Sequence, residues 1–318
     1  MTTQNPTLEW DAIIAGGGAA GLSAALMLGR ARRRVLVVDA GAPRNRFAAH
    51  MHGVLGSEGT PPGELVRRGR EECAAYGVQF AQGRIEDVEE TAGGLRLVQE
   101  NGTAHTARAL IVATGITDLL PDVRGLAERW GTSVLHCPYC HGWEVADQRL
   151  GVLATSAASL HQAQMVRQWS DRVTLFSHAA GALAPEAESQ LRARDVAIVT
   201  APVTEVLGEG TGLTAVRTAD GEEHAVDAIF TAGTPQPHDG FLSRLGLDRA
   251  GLPFGTGTAL AVDQTGKTSH GRVWAVGNVV SPMANVPMVI GAGAFTGGAV
   301  NGALVAEDFA LADEVSRT

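Results

Sequence analysis

Positive charge is scarce in this chain of 318 residues: lysine and arginine total 25 against 34 aspartates and glutamates, which leaves a formal net charge of −9. Lys267 is the only lysine. Proteins that bind nucleic acid usually present a basic surface to the phosphates, so the charge balance argues against that class.

The pattern of a leader or a membrane span is also missing. Residues 1–10 are polar and have no apolar signal-peptide core, so we expect a cytoplasmic protein. Residues 273–306 carry no charge, but six glycines, three asparagines and two prolines interrupt them. A membrane-spanning helix needs about 20 consecutive, mainly apolar residues. We therefore expect a glycine-rich strand and helix beside a cofactor there, and no membrane partner.

Cysteine is scarce too, with three residues, and two of these lie in the string HCPYCH at residues 136–141. The spacing of Cys137 and Cys140 allows a small disulfide ring to close. A protonated imidazole beside a thiol favours the reactive thiolate, whereas a neutral imidazole can take a proton from an incoming thiol. The string therefore predicts a redox-active dithiol with His136 and His141 as its proton-handling neighbours.

Three other interpretations of the pair are weaker. Zinc usually takes two such pairs, or one pair and two spaced histidines, and Cys73 is the only other cysteine. A static disulfide would suit a secreted chain, and a thioredoxin-type domain would carry the motif near its start. Redox catalysis is favoured over all three, and no metal site is expected. Cys73 lies in a helical pattern and is expected to be inert.

A dinucleotide pattern opens the chain. An apolar run at residues 11–15 leads into GGGAAG at residues 16–21, a helix is predicted over residues 22–28, and a second apolar run at residues 35–38 ends at Asp39. This order of strand, glycine turn, helix, strand and acid is typical of dinucleotide-binding proteins.

Each part of that pattern has a physical role. Gly16 permits the tight turn, Gly18 lets backbone N–H groups approach a pyrophosphate, and Gly21 lets the helix pack on the strand. The helix N-terminus favours phosphate charge, and Asp39 can accept hydrogen bonds from a ribose.

A second doubly wound unit is predicted from the strand–helix–strand pattern of residues 150–176, but its turn is ATSAAS and has no glycine. Side chains at these positions obstruct backbone contact with a pyrophosphate. No arginine occurs between Arg172 and Arg192, where NADPH would need a cation for its 2′-phosphate. The pattern argues against tight nicotinamide binding. Beyond it we predict a hairpin from residues 213–218 and 224–230 and a helix near residues 288–304.

Taken in order, five features resemble those of the thioredoxin-reductase-like flavoprotein disulfide oxidoreductases. They are the glycine turn with Asp39, the strand ending in Ala113-Thr114-Gly115, the mid-chain cysteine pair, AGTP at residues 232–235 and VWAVGN at residues 273–278. The resemblance implies an α/β fold with two doubly wound, Rossmann-like domains. Residues 1–118 and 239–318 would form a split FAD domain, and residues 119–238 an inserted pyridine-nucleotide-type domain that carries the cysteine pair. It also implies a homodimer.

The candidate site residues follow from these motifs. The catalytic candidates are Cys137, Cys140, His141 and His136. The candidates for FAD binding are Gly16, Gly18, Ala19, Ala20, Gly21, Asp39, Ala40, Arg44, Asn45, Ala113, Thr114, Gly115, Gly277, Asn278, Val286 and Pro287.

Departures from the family pattern refine the functional prediction. The family usually has aspartate at Asn278, an acid at His141, and Arg-Gln where this chain has Val286 and Pro287. Together with the missing NADPH turn, these departures resemble the FAD-dependent dithiol oxidases that close disulfides in small natural products, of the holomycin and gliotoxin type.

The mechanism that this resemblance implies begins when His141 or His136 takes a proton from a small-molecule dithiol. The thiolate attacks Cys137, Cys140 passes electrons to FAD, and O2 reoxidises the flavin to give hydrogen peroxide. The alternatives are an NAD(P)H-dependent reductase of thioredoxin type and a non-catalytic, flavin-binding redox sensor.

Overall fold

The computed structural model describes residues 8–317, apart from the side chain of Phe254. Most of the residue 1–10 segment on which the leader prediction rests lies outside that range. The strands are β1 (Trp10–Ala15), β2 (Val35–Asp39), β3 (Gln79–Gln82), β4 (Ile85–Thr91), β5 (Gly94–Gln99), β6 (Ala104–Val112), β7 (Ile116–Leu119), β8 (Val134–Leu135), β9 (Leu150–Leu153), β10 (Val173–Phe176), β11 (Ala197–Val199), β12 (Val203–Leu207), β13 (Ala215–Thr218), β14 (Glu223–Ala225), β15 (Ala228–Thr231), β16 (Thr234–Pro237), β17 (Arg249–Gly251), β18 (Thr258–Leu260) and β19 (Val273–Ala275). The helices are α1 (Ala19–Arg30), α2 (Pro62–Ala74), α3 (Pro138–His141), α4 (Ser159–Val166), α5 (Pro185–Arg192) and α6 (Val286–Ser316).

The first sheet has seven strands in the order β3-β2-β1-β6-β5-β4, with β19 also paired to β6. Strands β1, β2, β3 and β19 run parallel to their neighbours, whereas β4, β5 and β6 form an antiparallel meander. The central strand β1 is buried along its whole length, as its apolar run predicts. Because β19 comes from the far end of the sequence, this sheet unites the two ends of the described chain.

The second sheet has five parallel strands in the order β11-β10-β9-β15-β8. Its strands come from the middle of the chain, which supports an inserted domain. Between the two sheets, β7 pairs antiparallel with β16, so the chain enters and leaves the insertion side by side. The domain boundaries at residues 118/119 and 238/239 stay a proposal that this arrangement supports.

One sequence prediction was wrong in detail. Residues 224–230 do not form one arm of a hairpin: β14 pairs with β13, but β15 lies in the parallel sheet between β9 and β8. The reason is the polar break at Asp227. Its backbone N–H donates to the Arg149 carbonyl oxygen at 2.7 Å, and its carboxylate accepts from the Arg149 backbone N–H at 2.9 Å. The Asp227 carboxylate also binds the Arg149 guanidinium, which ties the start of β15 to the start of β9.

Helix α6 begins close to where it is predicted but continues twelve residues beyond Leu304, to Ser316. Its glycines let it lie directly against α1: a Cβ on Gly293 would overlap the carbonyl oxygen of Ala20, and one on Gly297 would lie 2.7 Å from that of Ala24. Its length and apolar composition alone would fit a membrane span. Within the described chain, however, its amino-terminal half packs on α1 as a core helix of the first domain.

Candidate active site

One large cavity of about 1570 Å³ lies between the two sheets. A typical pocket for a small ligand measures about 300–1,000 Å³, so this one has room for a cofactor and a substrate together. The candidate residues on its wall are Gly16, Gly18, Ala19, Ala20, Asp39, Ala40, Arg44, Asn45, Ala113, Thr114, Gly115, His136, Cys137, Cys140, His141, Gly277, Asn278 and Val286. Gly21 and Pro287 are not on the wall. The fold thus brings the predicted dinucleotide turn and the predicted dithiol to one site.

The glycine turn has the shape that a pyrophosphate requires. Gly16 has a φ of +106°, and a Cβ there would overlap the Ala113 carbonyl oxygen, so this tight turn depends on glycine. A Cβ on Gly21 would overlap the Gly16 carbonyl oxygen, which explains why Gly21 supports the turn from behind the wall. At Gly18 an added Cβ would meet nothing within 4 Å. That open space before the N-terminus of α1 fits the phosphates of a dinucleotide.

The rest of the turn's surroundings also fits FAD. A Cβ on Gly17 would lie 2.8 Å from Asp39 Oδ2, so the Asp39 carboxylate stands directly beside the turn, where a ribose would lie. Thr114 Oγ1 donates to the His238 carbonyl oxygen at 2.8 Å, which fixes the end of the β6 segment across the cavity wall. These residues would hold the adenosine half of the cofactor.

Asn278 has a structural task that an aspartate could not perform. Its Nδ2 donates to the carbonyl oxygens of Ser281 (3.1 Å) and Ala284 (2.9 Å), so the amide holds the loop that leads into α6. At the start of α6 the Asn285 side chain accepts from the Met288 N–H at 3.3 Å and caps the helix. Val286 reaches the cavity, whereas Pro287 only occupies the first turn of the helix.

The sulfur atoms of Cys137 and Cys140 lie 2.7 Å apart, close enough for the pair to close into a disulfide. In the dithiol form, Cys140 Sγ is the hydrogen-bond donor to Cys137 Sγ. That hydrogen bond lowers the pKa of Cys137 to about 7 against the opposing effect of burial, with help from the Tyr139 and Cys140 N–H groups. The same bond, together with burial, raises the pKa of Cys140. Cys137 is therefore the thiolate and Cys140 the thiol of the pair.

The Arg44–Asp118 ion pair beside the dithiol was not identified from the sequence. Arg44 Nε and Nη2 each lie 2.7 Å from one Asp118 carboxylate oxygen, and its Nη1 donates to the Pro282 carbonyl oxygen at 2.6 Å. The Arg44 charge lowers the pKa of both Cys137 and Cys140. Arg44 was expected near the cofactor, but only the fold shows that it is clamped to the linker strand β7.

The two histidines that flank the pair differ. Burial lowers the pKa of His136, the Arg44 charge adds to that effect, and among the described residues its buried Nδ1 has no hydrogen-bond partner. Burial also lowers the pKa of His141, but the Glu144 charge opposes this effect. Both imidazoles are therefore neutral at pH 7, and His141 has the better environment for accepting a proton.

In the second sheet, the turn between β9 and α4 has backbone N–H groups that are bound by its own serine side chains. Ser159 Oγ accepts from the Thr155 N–H at 3.0 Å, and Ser156 Oγ accepts from the Ala158 N–H at 3.3 Å. Backbone N–H groups in this position normally bind the pyrophosphate of a nicotinamide cofactor. Here two of these N–H groups are bound by hydroxyl groups of the chain itself.

Cys73 is not among the residues that line the cavity. It is fully buried, its Sγ lies 3.4 Å from the Leu22 carbonyl oxygen, and burial raises its pKa to about 11. A thiol with so high a pKa has little thiolate at neutral pH. The environment agrees with the prediction that Cys73 is inert.

Similar proteins are found over nearly the whole chain. The sequence profile of a family described as pyridine nucleotide-disulphide oxidoreductase matches residues 10–297. The chain is 31% identical to a protein named thioredoxin reductase tcpT from Claviceps purpurea, over 96% of this chain and 97% of that one. The crystal structure of HlmI superposes with a TM-score of 0.91 at 42% identity, covering 97% of this chain and 96% of HlmI. An oxidoreductase from Agrobacterium tumefaciens gives a TM-score of 0.88 at 36% identity, covering 94% and 99%.

Proposed function

Because the chain belongs to the pyridine nucleotide-disulphide oxidoreductase family, whose thioredoxin-reductase-like members are FAD-binding flavoproteins, we propose that it is an FAD-dependent dithiol oxidase. Its substrate is a small natural-product dithiol, which it converts to the cyclic disulfide. The net reaction takes two electrons and two protons from the two thiols and delivers them to O2, giving hydrogen peroxide. The resemblance to thioredoxin-reductase-like flavoproteins, expected from the sequence, is confirmed.

The observation that carries this proposal is the occupied turn of the second sheet. A reductase of this family draws electrons from a nicotinamide and needs free backbone N–H groups to hold it. In this chain Ser156 and Ser159 hydroxyls bind those N–H groups, while the dithiol and the FAD turn share one cavity. The site therefore favours electrons that enter from a thiol substrate.

The chain's own residues supply the thiol chemistry. In the oxidised enzyme His141 takes the proton of the first substrate thiol, and the thiolate attacks Cys137 Sγ, so that the Cys137–Cys140 bond breaks and a mixed disulfide forms. The second substrate thiolate then attacks the substrate sulfur and releases Cys137. A leaving thiolate with a pKa of about 7 departs readily, which suits Cys137 to this position. Bound FAD would accept the two electrons from the cysteine pair and react with O2.

We expect oxygen uptake when the holoenzyme is mixed with dithiothreitol, with about one hydrogen peroxide formed per dithiol oxidised. NADPH should leave the rate unchanged and should not support oxygen uptake by itself. An oxygen electrode with a peroxidase-coupled peroxide assay measures both, and free FAD at the same concentration is the control. Oxygen uptake that requires NADPH would contradict the proposal.

A thioredoxin-type disulfide reductase is the second candidate. It is favoured by two exposed aromatic side chains beside the dithiol, Tyr139 (72% exposed) and Trp143 (81% exposed), which offer a protein partner an apolar surface. Anaerobic mixing of the holoenzyme with NADPH decides between the two, because a reductase would reduce its flavin under these conditions and a dithiol oxidase would not.

We also propose that the enzyme is a cytoplasmic homodimer, as the family resemblance implies. Three large apolar side chains lie seven or fourteen residues apart on α6 and so share one face: Met288 (60% exposed), Phe295 (61%) and Phe309 (75%). An exposed apolar stripe of this kind marks an interaction surface. Fractionation of cells tests the compartment.

The double substitution Phe295→Glu and Phe309→Glu should convert the dimer to a monomer, because it places four charges in the contact of two such stripes. Light scattering after size exclusion should show the mass fall from twice 33.0 kDa to 33.0 kDa. The control is Leu55→Glu, a fully exposed leucine in a loop of the first domain, which should leave the mass unchanged. An unchanged mass in the double variant would exclude this face as the interface.

A further inference from the structure

We propose that Arg70 is the positioning residue for the Asp39 carboxylate in FAD binding. It holds the carboxylate beside the glycine turn, in the orientation that accepts hydrogen bonds from the hydroxyl groups of the adenosine ribose. The inference rests on the placement of that ribose at Asp39 in the proposed function, and it is independent of the direction in which electrons flow. Arg70 is not on the wall of the large cavity, so it acts on the cofactor only through Asp39.

The first support is the contact between the two side chains. Arg70 Nη1 donates to Asp39 Oδ2 over 3.4 Å, and the Asp39 side chain is only 13% exposed. The same oxygen would lie 2.8 Å from a Cβ on Gly17, so it stands between the glycine turn and the guanidinium. Among the described residues, the other oxygen, Oδ1, has no hydrogen-bond donor. The protein therefore fixes one oxygen of the carboxylate and leaves the other to a ligand.

The second support is that Arg70 is itself held in place. Its guanidinium carbon lies 4.3 Å from the centre of the Phe80 ring, a cation–π contact. Phe80 belongs to β3, which pairs with β2 in a register that sets Phe80 opposite Val37 and Gln82 opposite Asp39. The ring and the carboxylate thus stand on adjacent strands, two residues apart in register. A planar guanidinium can stack on the ring and bind the carboxylate together, which a lysine ammonium cannot do equally well.

The third support is the contrast between Arg70 and its neighbours on α2. Arg67 pairs with Glu64 and Glu71, and Arg68 pairs with Glu64, all within the same helix. These two arginine side chains are more than half exposed, and exposed pairs of this kind contribute little to stability. The side chain of Arg70 is 35% exposed, and its partner lies 31 residues earlier, at the end of β2. Arg70 is thus the arginine of this group that fixes a residue of the cavity wall.

The chemistry of the contact gives the role a specific signature. A hydrogen bond from a ribose hydroxyl to a carboxylate is charge-assisted and directional. A carboxylate that is already held in position loses less rotational freedom when the ribose binds, so positioning raises the affinity for a sugar that carries hydroxyl groups. The positive charge of Arg70 also attracts an anionic ligand, but that attraction is the same with or without the hydroxyl groups. Positioning therefore changes the selectivity for ribose, whereas a general electrostatic or structural effect does not.

The test measures the affinity of the full-length apoprotein for ADP and for 2′,3′-dideoxy-ADP, each by displacement of FAD followed through flavin fluorescence. The wild type should prefer ADP by about tenfold or more, because the hydroxyl groups bind a charged acceptor. Arg70→Met, which keeps a long side chain but removes the guanidinium, should reduce this preference by about threefold or more. Asp39→Asn should nearly abolish it. The control is Arg68→Met, which removes an exposed charge from the same helix and should leave the preference unchanged.

A double variant shows whether Arg70 acts through Asp39. Arg70→Met in the background of Asp39→Asn should cause no further loss of the preference for ADP, because the group that it positions is already changed. Arg70→Lys keeps the charge without the stacked guanidinium, so its preference should fall below that of the wild type. Thermal unfolding of each apoprotein checks that it is folded, and Arg70→Lys supplies the comparison if Arg70→Met is not.

Two results would overturn the proposal. An undiminished preference for ADP in both Arg70 variants would show that the ion pair with Asp39 serves only the packing of α2. A wild type that does not distinguish ADP from its dideoxy analogue would show that Asp39 does not bind the ribose, and the role of Arg70 falls with that assignment. Failure of the proposed dithiol oxidation is a separate result, since it would appear as an absence of flavin reduction by dithiothreitol, which these affinities do not involve.

Discussion

Cys140→Ser should abolish the reduction of bound flavin by dithiols while the protein stays yellow and folded. Without Cys140 no disulfide can form with Cys137, so the substrate thiolate has no sulfur–sulfur bond to attack. We expect at least a thousandfold loss of the anaerobic bleaching rate with dithiothreitol. Cys137→Ser should give the same loss. Cys73→Ala is the matched control and should retain the wild-type rate, because its buried thiol has a pKa near 11.

A second variant, Cys140→Ala, separates the roles of the two sulfurs. In the reduced wild type, the pKa of Cys137 of about 7 depends first on the hydrogen bond from Cys140. Cys140→Ala removes this donor, so the midpoint of Cys137 alkylation by iodoacetamide should move from near pH 7 to higher pH. Retention of dithiol-driven bleaching in Cys140→Ser would exclude the pair as the entry point of electrons. A midpoint that does not move would show that Arg44 and the backbone N–H groups suffice to hold the thiolate.

The local motifs of this chain could be predicted from the sequence because each one lies within a short stretch of neighbouring residues. The glycine turn, the acid at the end of β2 and the cysteine pair have fixed spacings that follow from strand and helix geometry. The degenerate turn was also predictable, since the absence of glycine and arginine is visible directly. What could be predicted was therefore the type of each motif and the α/β fold in which such motifs occur.

The electrostatic surroundings of the dithiol were not predictable in the same way. Arg44 and Asp118 are 74 residues apart, and His52 and Glu144 are 92 apart, so no periodic pattern joins either pair. Arg44 and His52 both lie in the loop after β2, which as sequence indicates only a surface segment. The fold places this loop over the dithiol. The hairpin error at β15 has a related cause, because a short apolar run such as residues 228–230 fits a parallel core strand as well as a hairpin arm.

The Gly18→Ala substitution gives the second large effect, and it tests whether the turn binds the phosphates of FAD. Gly18 has φ −76° and ψ −175°, a conformation open to any residue, and a Cβ there meets nothing within 4 Å. The apoprotein should therefore fold normally and even gain about 0.4–1 kcal/mol from the loss of backbone freedom in the unfolded chain. The new methyl group projects into the space that the pyrophosphate requires, so FAD affinity should fall about a hundredfold or more, roughly 2.8 kcal/mol.

The measurement is FAD titration of the apoprotein by fluorescence quenching, with thermal unfolding of the same samples. Gly298→Ala, a helical glycine with open space around its Cβ, is the control and should bind FAD as the wild type does. Gly21→Ala should behave in the opposite way to Gly18→Ala, since its Cβ overlaps the Gly16 carbonyl oxygen and so destabilises the apoprotein itself. Wild-type FAD affinity in Gly18→Ala would mean that the phosphates lie elsewhere on the cavity wall. Of Gly16, Gly18 and Gly21, only Gly18 can take a Cβ without overlap with the backbone. A substitution at Gly18 therefore changes FAD affinity without destabilising the fold, and it tests the geometry of the turn directly.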